Sequence, residues 1–461
     1  MSATRPSTPL ATFWFDFEVP YAKLLCGRVL LFGLLALDAL MQLRHAPRYG
    51  SGFNVAQLPF LDAIGPGRVG YGLGQLVEAY VFVLIACGVA TRWLVPVGAA
   101  VYAWLYFGSQ LDSYQHHYFV AMVLLLACFV PWQRQATLAT QVKSWALRLI
   151  LAELAILYLW AAISKLDAHW LDGLALSTQI HGSLRTLIDA TIGIKAVAIL
   201  VPLTELALAF VWLRPAWRVL APLGIAFHLG IVWSGLEIGL FAWLMIGSYA
   251  FVLPDGVYLW LARRVPRIAW PVPAVWIAYP VSMFAGLVLA MIVRFPGSLA
   301  VAIVASTVSI GAMIFGGRRA ATVIALPHLL AIAVWLVVDR GSTITHDYYK
   351  FWAGTSRRLD DPSAIEASRG YADIAPDDAN ARYAYGRALL DRDDPAGLDE
   401  FHAAEQLDRK RARAYLAEAR WLATKGRQAE ALVAARAATA AEPTDNDARA
   451  LLATLEQGLG R

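Results

Sequence analysis

Long apolar runs, broken by short polar punctuation, fill the first three quarters of the chain. A helix needs about 20 apolar residues to cross a bilayer. Runs near that length cover residues 22–43, 73–91, 93–108, 116–131, 145–164, 196–213, 217–234, 239–253, 274–293, 299–315 and 321–338. They predict about eleven membrane spans, the third, fourth and eighth being short. Pro, Gly and Arg separate several of them, as at Arg294-Phe295-Pro296-Gly297 and Gly316-Gly317-Arg318-Arg319. After Asp339 the pattern changes. From about residue 361 the chain is rich in Ala, Arg, Asp and Glu and reads as paired helices. The expected fold is all-α, a polytopic transmembrane bundle followed by a soluble helical tail.

The tail carries an internal repeat. Ala375-Pro376-Asp377-Asp378-Ala379-Asn380-Ala381-Arg382 matches Glu442-Pro443-Thr444-Asp445-Asn446-Asp447-Ala448-Arg449, and a weaker copy, Leu407 to Ala412, falls between them. The separation is twice about 34 residues, the tetratricopeptide period. Small residues at Gly386, Ala388, Ala417, Ala431 and Ala435 let neighbouring helices approach. The tail therefore resembles a tetratricopeptide α-solenoid of about two and a half repeats, a type that holds peptides or proteins on a concave face. The alternative is a repeat that merely packs on the membrane part.

Composition agrees with a membrane protein: 59% of residues are hydrophobic and the mean hydropathy is +0.53. The net charge of +5 divides into +7 before residue 340 and −2 after it. Basic residues in short loops mark the cytoplasmic side, so the excess calls for no nucleic-acid partner. Loops with Arg92, Arg134, Lys143, Arg148, Arg214, Arg218, Arg263, Arg264, Arg267, Arg318 and Arg319 lie on the side of the N-terminus and place it in the cytoplasm. An odd number of spans puts the tail outside, in the periplasm of a bacterium. Met1 to Lys23 carries Asp16 and Glu18 and does not read as a secretory signal; its Phe13, Trp14, Phe15 and Phe17 are expected at the interface. Cys26, Cys87 and Cys128 all sit in apolar runs and form no disulfide framework.

The orientation gathers Asp112 to His117, Lys165 to Trp170 and Ser234 to Glu237 at the outer face. Lys165 closes an apolar run. An amine there either stays charged and finds a carboxylate or headgroup, or loses its proton and becomes a base. His116 and His117 begin the fourth span. Adjacent helical residues point about 100° apart, which disfavours joint ligation of one ion, and no metal site is expected. His228 and Glu205 lie inside apolar runs, where each needs a partner, either structural or at the edge of a substrate cavity. Gly65-Pro66-Gly67-Arg68-Val69-Gly70 follows no strand and reads as a turn, not a dinucleotide loop.

Several stretches together resemble the vitamin K-dependent gamma-carboxylase family and its bacterial relatives, the HTTM proteins. They are Arg28 to Asp38, Leu58-Pro59-Phe60-Leu61-Asp62-Ala63, Leu111 to Phe119, Ser164-Lys165-Leu166-Asp167-Ala168-His169-Trp170, and Phe227-His228 with Ile238 to Met245. The resemblance covers about residues 22–260. It implies a membrane carboxylase driven by oxygen, with a reduced vitamin K or menaquinone-type quinol as cofactor and O2 and CO2 as co-substrates. In that family a lysine at the place of Lys165 deprotonates the quinol, a histidine at the place of His116 acts at the substrate glutamate, and His228 matches a histidine lining the site. Gln115, His117, Trp170 and Glu205 are the accompanying candidates for substrate binding. Gln115 stands where the family commonly has Asn. Three further spans and the repeats stand where the family has its large carboxylase domain.

The resulting division is an N-terminal segment, 1–21; a carboxylase-like transmembrane domain, 22–260; further transmembrane helices, 261–339; a linker, 340–360; and helical repeats, 361–461. Its expected partners are the lipid bilayer and a protein or peptide on the repeats. The alternative to an enzyme is a membrane scaffold that recruits a partner through those repeats.

Overall fold

The computed structural model describes residues 9–49, 54–264 and 343–459, apart from positions 89, 112, 134, 178, 181, 235–239 and 410–411. The runs at 274–293, 299–315 and 321–338 lie outside the described residues. Of the described chain, 9–42 and 54–264 form one compact unit, and 43–49 with 343–459 a second.

In the first unit each of the first eight apolar runs forms a helix: α1 (Tyr21–Gln42), α2 (Arg68–Cys87), α3 (Thr91–Phe107), α4 (Gln115–Ala127), α5 (Trp145–Ile163), α6 (Ile194–Ala209), α7 (Ala221–Trp233) and α8 (Phe241–Ser248). By length and composition, five helical stretches are long and apolar enough to cross a membrane: Tyr21–Arg48, Arg68–Ala86, Trp145–Ile163, Ile194–Trp212 and Pro215–Trp233. Gln115–Ala127 and Phe241–Phe251 are shorter apolar helices. Each of α1 to α6 packs on the next, α7 packs on α8, and α8 returns to α1. The core between them is built on Phe32, Phe82, Leu124, Leu147, Leu154 and Trp212. The Phe32 ring meets those of Phe82 and Trp132 at 5.9 and 5.6 Å.

Local chemistry sets the start of α5. Ser144 takes the amide of Leu147 at 3.1 Å, a side-chain N-cap. Just before it, Gln141–Lys143 pairs antiparallel with Glu18–Pro20, and Lys143 reaches Asp16 and Glu18 at 3.2 and 3.4 Å. Buried cations are each met by the protein. Arg28 donates to the Trp132 carbonyl at 2.8 Å. Lys23 pairs with Asp255 and reaches the Phe251 carbonyl. Arg148 donates to the Leu213 carbonyl and lies 3.8 Å from the Phe13 ring centroid.

The second unit contains seven helices in the tail: α9 (Thr343–Arg358), α10 (Ala364–Ile374), α11 (Ala379–Leu390), α12 (Gly397–Leu407), α13 (Arg413–Thr424), α14 (Gln428–Ala441) and α15 (Asn446–Leu459). Successive helices pack as hairpins. Asp378 caps α11 through the amide of Asn380 at 2.8 Å, and α15 begins at the equivalent place in the repeated motif. Gly386 and Gly397 face each other so closely that a Cβ on either would strike the other's carbonyl. Ala388, Ala417, Ala431 and Ala435 are buried between helices, as their small size requires. The turn Leu43–Arg48 belongs to this unit and packs on α9. There Arg44 meets Asp347 at 3.2 Å and the His45 ring meets that of Phe351 at 4.9 Å.

His346 on α9 bonds Asp347 at 3.0 Å and approaches Asp378 at 3.5 Å, while Tyr371 donates to Asp378 at 2.7 Å. The hydrogen bond to Asp347 outweighs burial and raises the imidazole above its usual 6.5. Its contribution to stability is complete below 6.5 and disappears as pH rises through the raised value. Hydrogen exchange of residues 343–390 is expected to speed up as pH climbs above 6.5, after correction for intrinsic exchange. His346→Gln is expected to flatten that dependence.

Candidate functional site

Lys165 follows the last turn of α5. Its Nζ lies 2.9 Å from both carboxylate oxygens of Glu205 on α6 and 3.1 Å from the Ala161 carbonyl. Those three acceptors match the three protons of an ammonium. The carboxylate is more deeply buried than the amine: the side chains are 7% and 20% exposed. The residues after Lys165 complete the arrangement. Asp167 takes the Trp170 amide at 3.0 Å and caps the short helix Ala168–Leu171. This turn brings the Trp170 ring to 5.2 Å from Nζ, a cation–π distance, and the indole N–H donates to the Ala198 carbonyl of α6 at 2.9 Å. The Lys-Leu-Asp-Ala-His-Trp sequence is thus one local device that fixes an amine against a carboxylate. Trp160, Ile163, Leu166, Leu203 and Leu206 are exposed on the same two helices and their margin, so apolar surface flanks the pair.

A second polar group sits about 10 Å along α5 toward its start, at 1.5 Å per residue. Tyr158 Oη lies 2.6 Å from His228 Nε2 and 2.9 Å from Tyr249 Oη. Trp212 stacks near both tyrosines, with ring centroids at 6.2 and 4.7 Å. His228 is buried, and its Nδ1 has no hydrogen-bond partner among the described residues. Gly224, one turn before His228 on α7, abuts the Tyr249 hydroxyl so closely that a Cβ would overlap it.

The histidines of α4 form a third group. The rings of His116 and His117 are 4.4 Å apart, and His117 Nδ1 lies 2.8 Å from Tyr102 Oη. His116 stacks on Tyr114 at 5.6 Å and meets Phe241 at 5.4 Å. Gln115 is exposed beside them. Phe241 also meets Phe119, which lines an apolar recess with Leu30, Leu34, Leu154, Leu244 and Phe251. Asp112 and Glu237 lie outside the described residues.

Among the expected site residues, Lys165, Glu205 and Trp170 converge, His228 belongs to the tyrosine network, and His116 and His117 belong to the aromatic cluster. Sequence reasoning missed Tyr102, Tyr158 and Tyr249, because tyrosine counts as apolar in a hydropathy run. The available signal was that a phenol buried among lipid-facing helices must find a partner for its hydroxyl. It also passed over Glu78, a buried carboxyl on α2, although its place inside an apolar run marked it.

Removing one member of a buried pair leaves the other charge uncompensated. Glu205→Ala is expected to destabilise the protein by about 2–4 kcal/mol, below the fully buried range because Lys165 keeps some solvent. Lys165→Met with Glu205→Leu should recover most of that loss, as read by unfolding in detergent micelles; equal losses in the single and double variants would contradict the pairing.

Residues 20–255 match the HTTM domain. This domain is found in vitamin K-dependent carboxylase-like membrane proteins. Comparison with the curated proteins finds no match. The HTTM match spans just over half of the 461 residues and takes in every side chain of the three polar groups. With its apolar helices the chain is an integral membrane protein, and it belongs to the HTTM family.

Proposed function

We propose that this protein is a quinol-dependent, carboxylase-like enzyme of the bacterial inner membrane, with Lys165 and Glu205 acting together as its base. The observation that carries this reading is the amine–carboxylate pair at a helix end flanked by exposed apolar side chains. A quinol with an isoprenoid chain needs a proton acceptor reachable from lipid and apolar surface for its tail. The pair, the Trp170 ring and the exposed apolar side chains around them fit that need. When bound, a reduced vitamin K or menaquinone-type quinol would supply a phenolic hydroxyl and, with O2, a base strong enough to take a carbon-bound proton for CO2 to trap.

The side chains divide the work. Lys165 passes one proton to Glu205 and so frees its lone pair. With a quinol bound, Nζ would be free to accept a hydroxyl proton, leaving an ammonium beside a neutral carboxyl. The pair would then carry +1 in place of net zero, a charge able to stabilise a neighbouring anion. Trp170, held by its bond to Ala198, keeps the amine oriented. His116 and His117 move protons at the acceptor substrate, with Gln115 at its edge, and His228 lines the site through Tyr158. A dry setting protects a strong base from water. The tail, read as tetratricopeptide-like repeats, presents a protein or peptide. Leu43–Arg48 follows α1 and packs on α9 in the same unit as the tail, which supports a tail across the membrane from the N-terminus; the basic loops make the N-terminal side cytoplasmic and the tail periplasmic.

Purified protein given reduced menaquinone, oxygen and labelled bicarbonate is expected to consume quinol and label a coexpressed protein. Lys165→Ala at normal expression should lower the rate by at least about 100-fold, the usual scale for a proton-transfer group. Retained function in Lys165→Ala, with loss only on deletion of residues 361–461, would favour the scaffold. Alkaline phosphatase fused after residue 461 is expected to be active; inactivity there with activity at the N-terminus would reverse the proposed topology.

A further inference from the structure

Two neighbouring helices of the tail bring together a histidine and two carboxylates. On α12, His402 and Glu405 are three residues apart and share a face. Glu418 comes from α13. One ligand atom from each of the three lies within 4.8 Å of the others, and His402 Nε2 is already 3.1 Å from Glu418 Oε1. Donors around a tetrahedral zinc ion sit about 3.3 Å apart, given bond lengths near 2.0–2.2 Å. Closing the widest separation takes a shift of about 1.5 Å, which rotation of a glutamate side chain supplies.

A second observation points to a ligand. Glu405 Oε1 is sealed from solvent and has no hydrogen-bond partner among the described residues. Buried polar atoms in folded proteins are almost always satisfied. Its near neighbour, Glu418, is another carboxylate. Two carboxylates and an imidazole held this close offer a cation three donors at once. His402 is exposed, so the cluster opens to solvent on one side and leaves room for water as a fourth ligand.

We propose that His402, Glu405 and Glu418 form a divalent metal site of the zinc class that clips α12 to α13. One imidazole with two carboxylates favours zinc, cobalt or nickel over calcium, which takes six to eight oxygens. The inference is independent of the quinol chemistry. It differs from the expectation of no metal site, which weighed only the histidines of the membrane part.

The test uses full-length protein in detergent, treated with chelator and then titrated with zinc chloride by calorimetry. One zinc per chain is expected to bind saturably, and hydrogen exchange across residues 397–424 to slow when it does. Calcium chloride should give no saturable heat. His402→Ala and Glu418→Gln should each weaken zinc binding by at least about 10-fold, the lower bound for losing even a supporting contact. Glu405→Gln separates this role from a structural one: without zinc it should preserve or raise thermal stability, because it removes carboxylate repulsion, yet it should lose the zinc response. Zinc affinity unchanged in His402→Ala, equal binding of calcium, or no saturable zinc heat in the unaltered protein would overturn the site. His402 is exposed, so its variant decides the question even if Glu418→Gln disturbs folding.

Discussion

A charge placed among lipid-facing helices has no water to fall back on, so the protein itself must answer it. Every buried cation described above obeys this rule, but the answers differ in kind. Arg28 and Arg148 are met by carbonyls and rings, which hold no proton to exchange. Lys23 is met by Asp255, whose side chain is 46% exposed and keeps its own contact with solvent. Lys165 is met by Glu205, which is more buried than the amine it serves. Burying two charges costs desolvation that their attraction only partly offsets, and well-packed apolar residues often do as well. As a device for stability this pair is poor. As a device for moving a proton it is well formed, because donor and acceptor are in contact before any substrate arrives.

Helix α5 organises the rest. Its start is set by Ser144, and its middle lines the apolar recess through Ile150 and Leu154. One turn further Tyr158 holds His228 and Tyr249, and just past its end Lys165 reaches Glu205. An apolar recess, a hydrogen-bond network and a lysine–glutamate pair are thus strung along one rigid rod. Sites built on such elements keep their geometry better than sites built on loops.

Much of this was legible in the sequence. The first eight apolar runs became helices, with 145–164 realised as Trp145–Ile163. The run at 116–131 ended early, at Ala127, because the Trp132 indole folds back to donate to the Ala127 carbonyl at 2.8 Å; hydropathy sees an apolar tryptophan, not a helix terminator. Lys165 and Glu205 both stood out as charges in apolar surroundings, yet their union depends on how α5 meets α6, which no local pattern encodes. The return of α8 to α1 was hidden for the same reason. The tail repeat was visible because helix starts recur with their capping residues. The cluster of His402 and two glutamates was not, since it needs two helices placed side by side before it exists.

Gly224 carries a consequence that reaches beyond its own helix. Its missing side chain is the space that the Tyr249 hydroxyl occupies, and that hydroxyl is the far end of the chain through Tyr158 to His228. Any methyl at this position would compete for volume with an oxygen rather than with a hydrocarbon. An apolar substitution on α7 would therefore act as a polar lesion, pulling Tyr249 away from the Tyr158 hydroxyl that also holds His228.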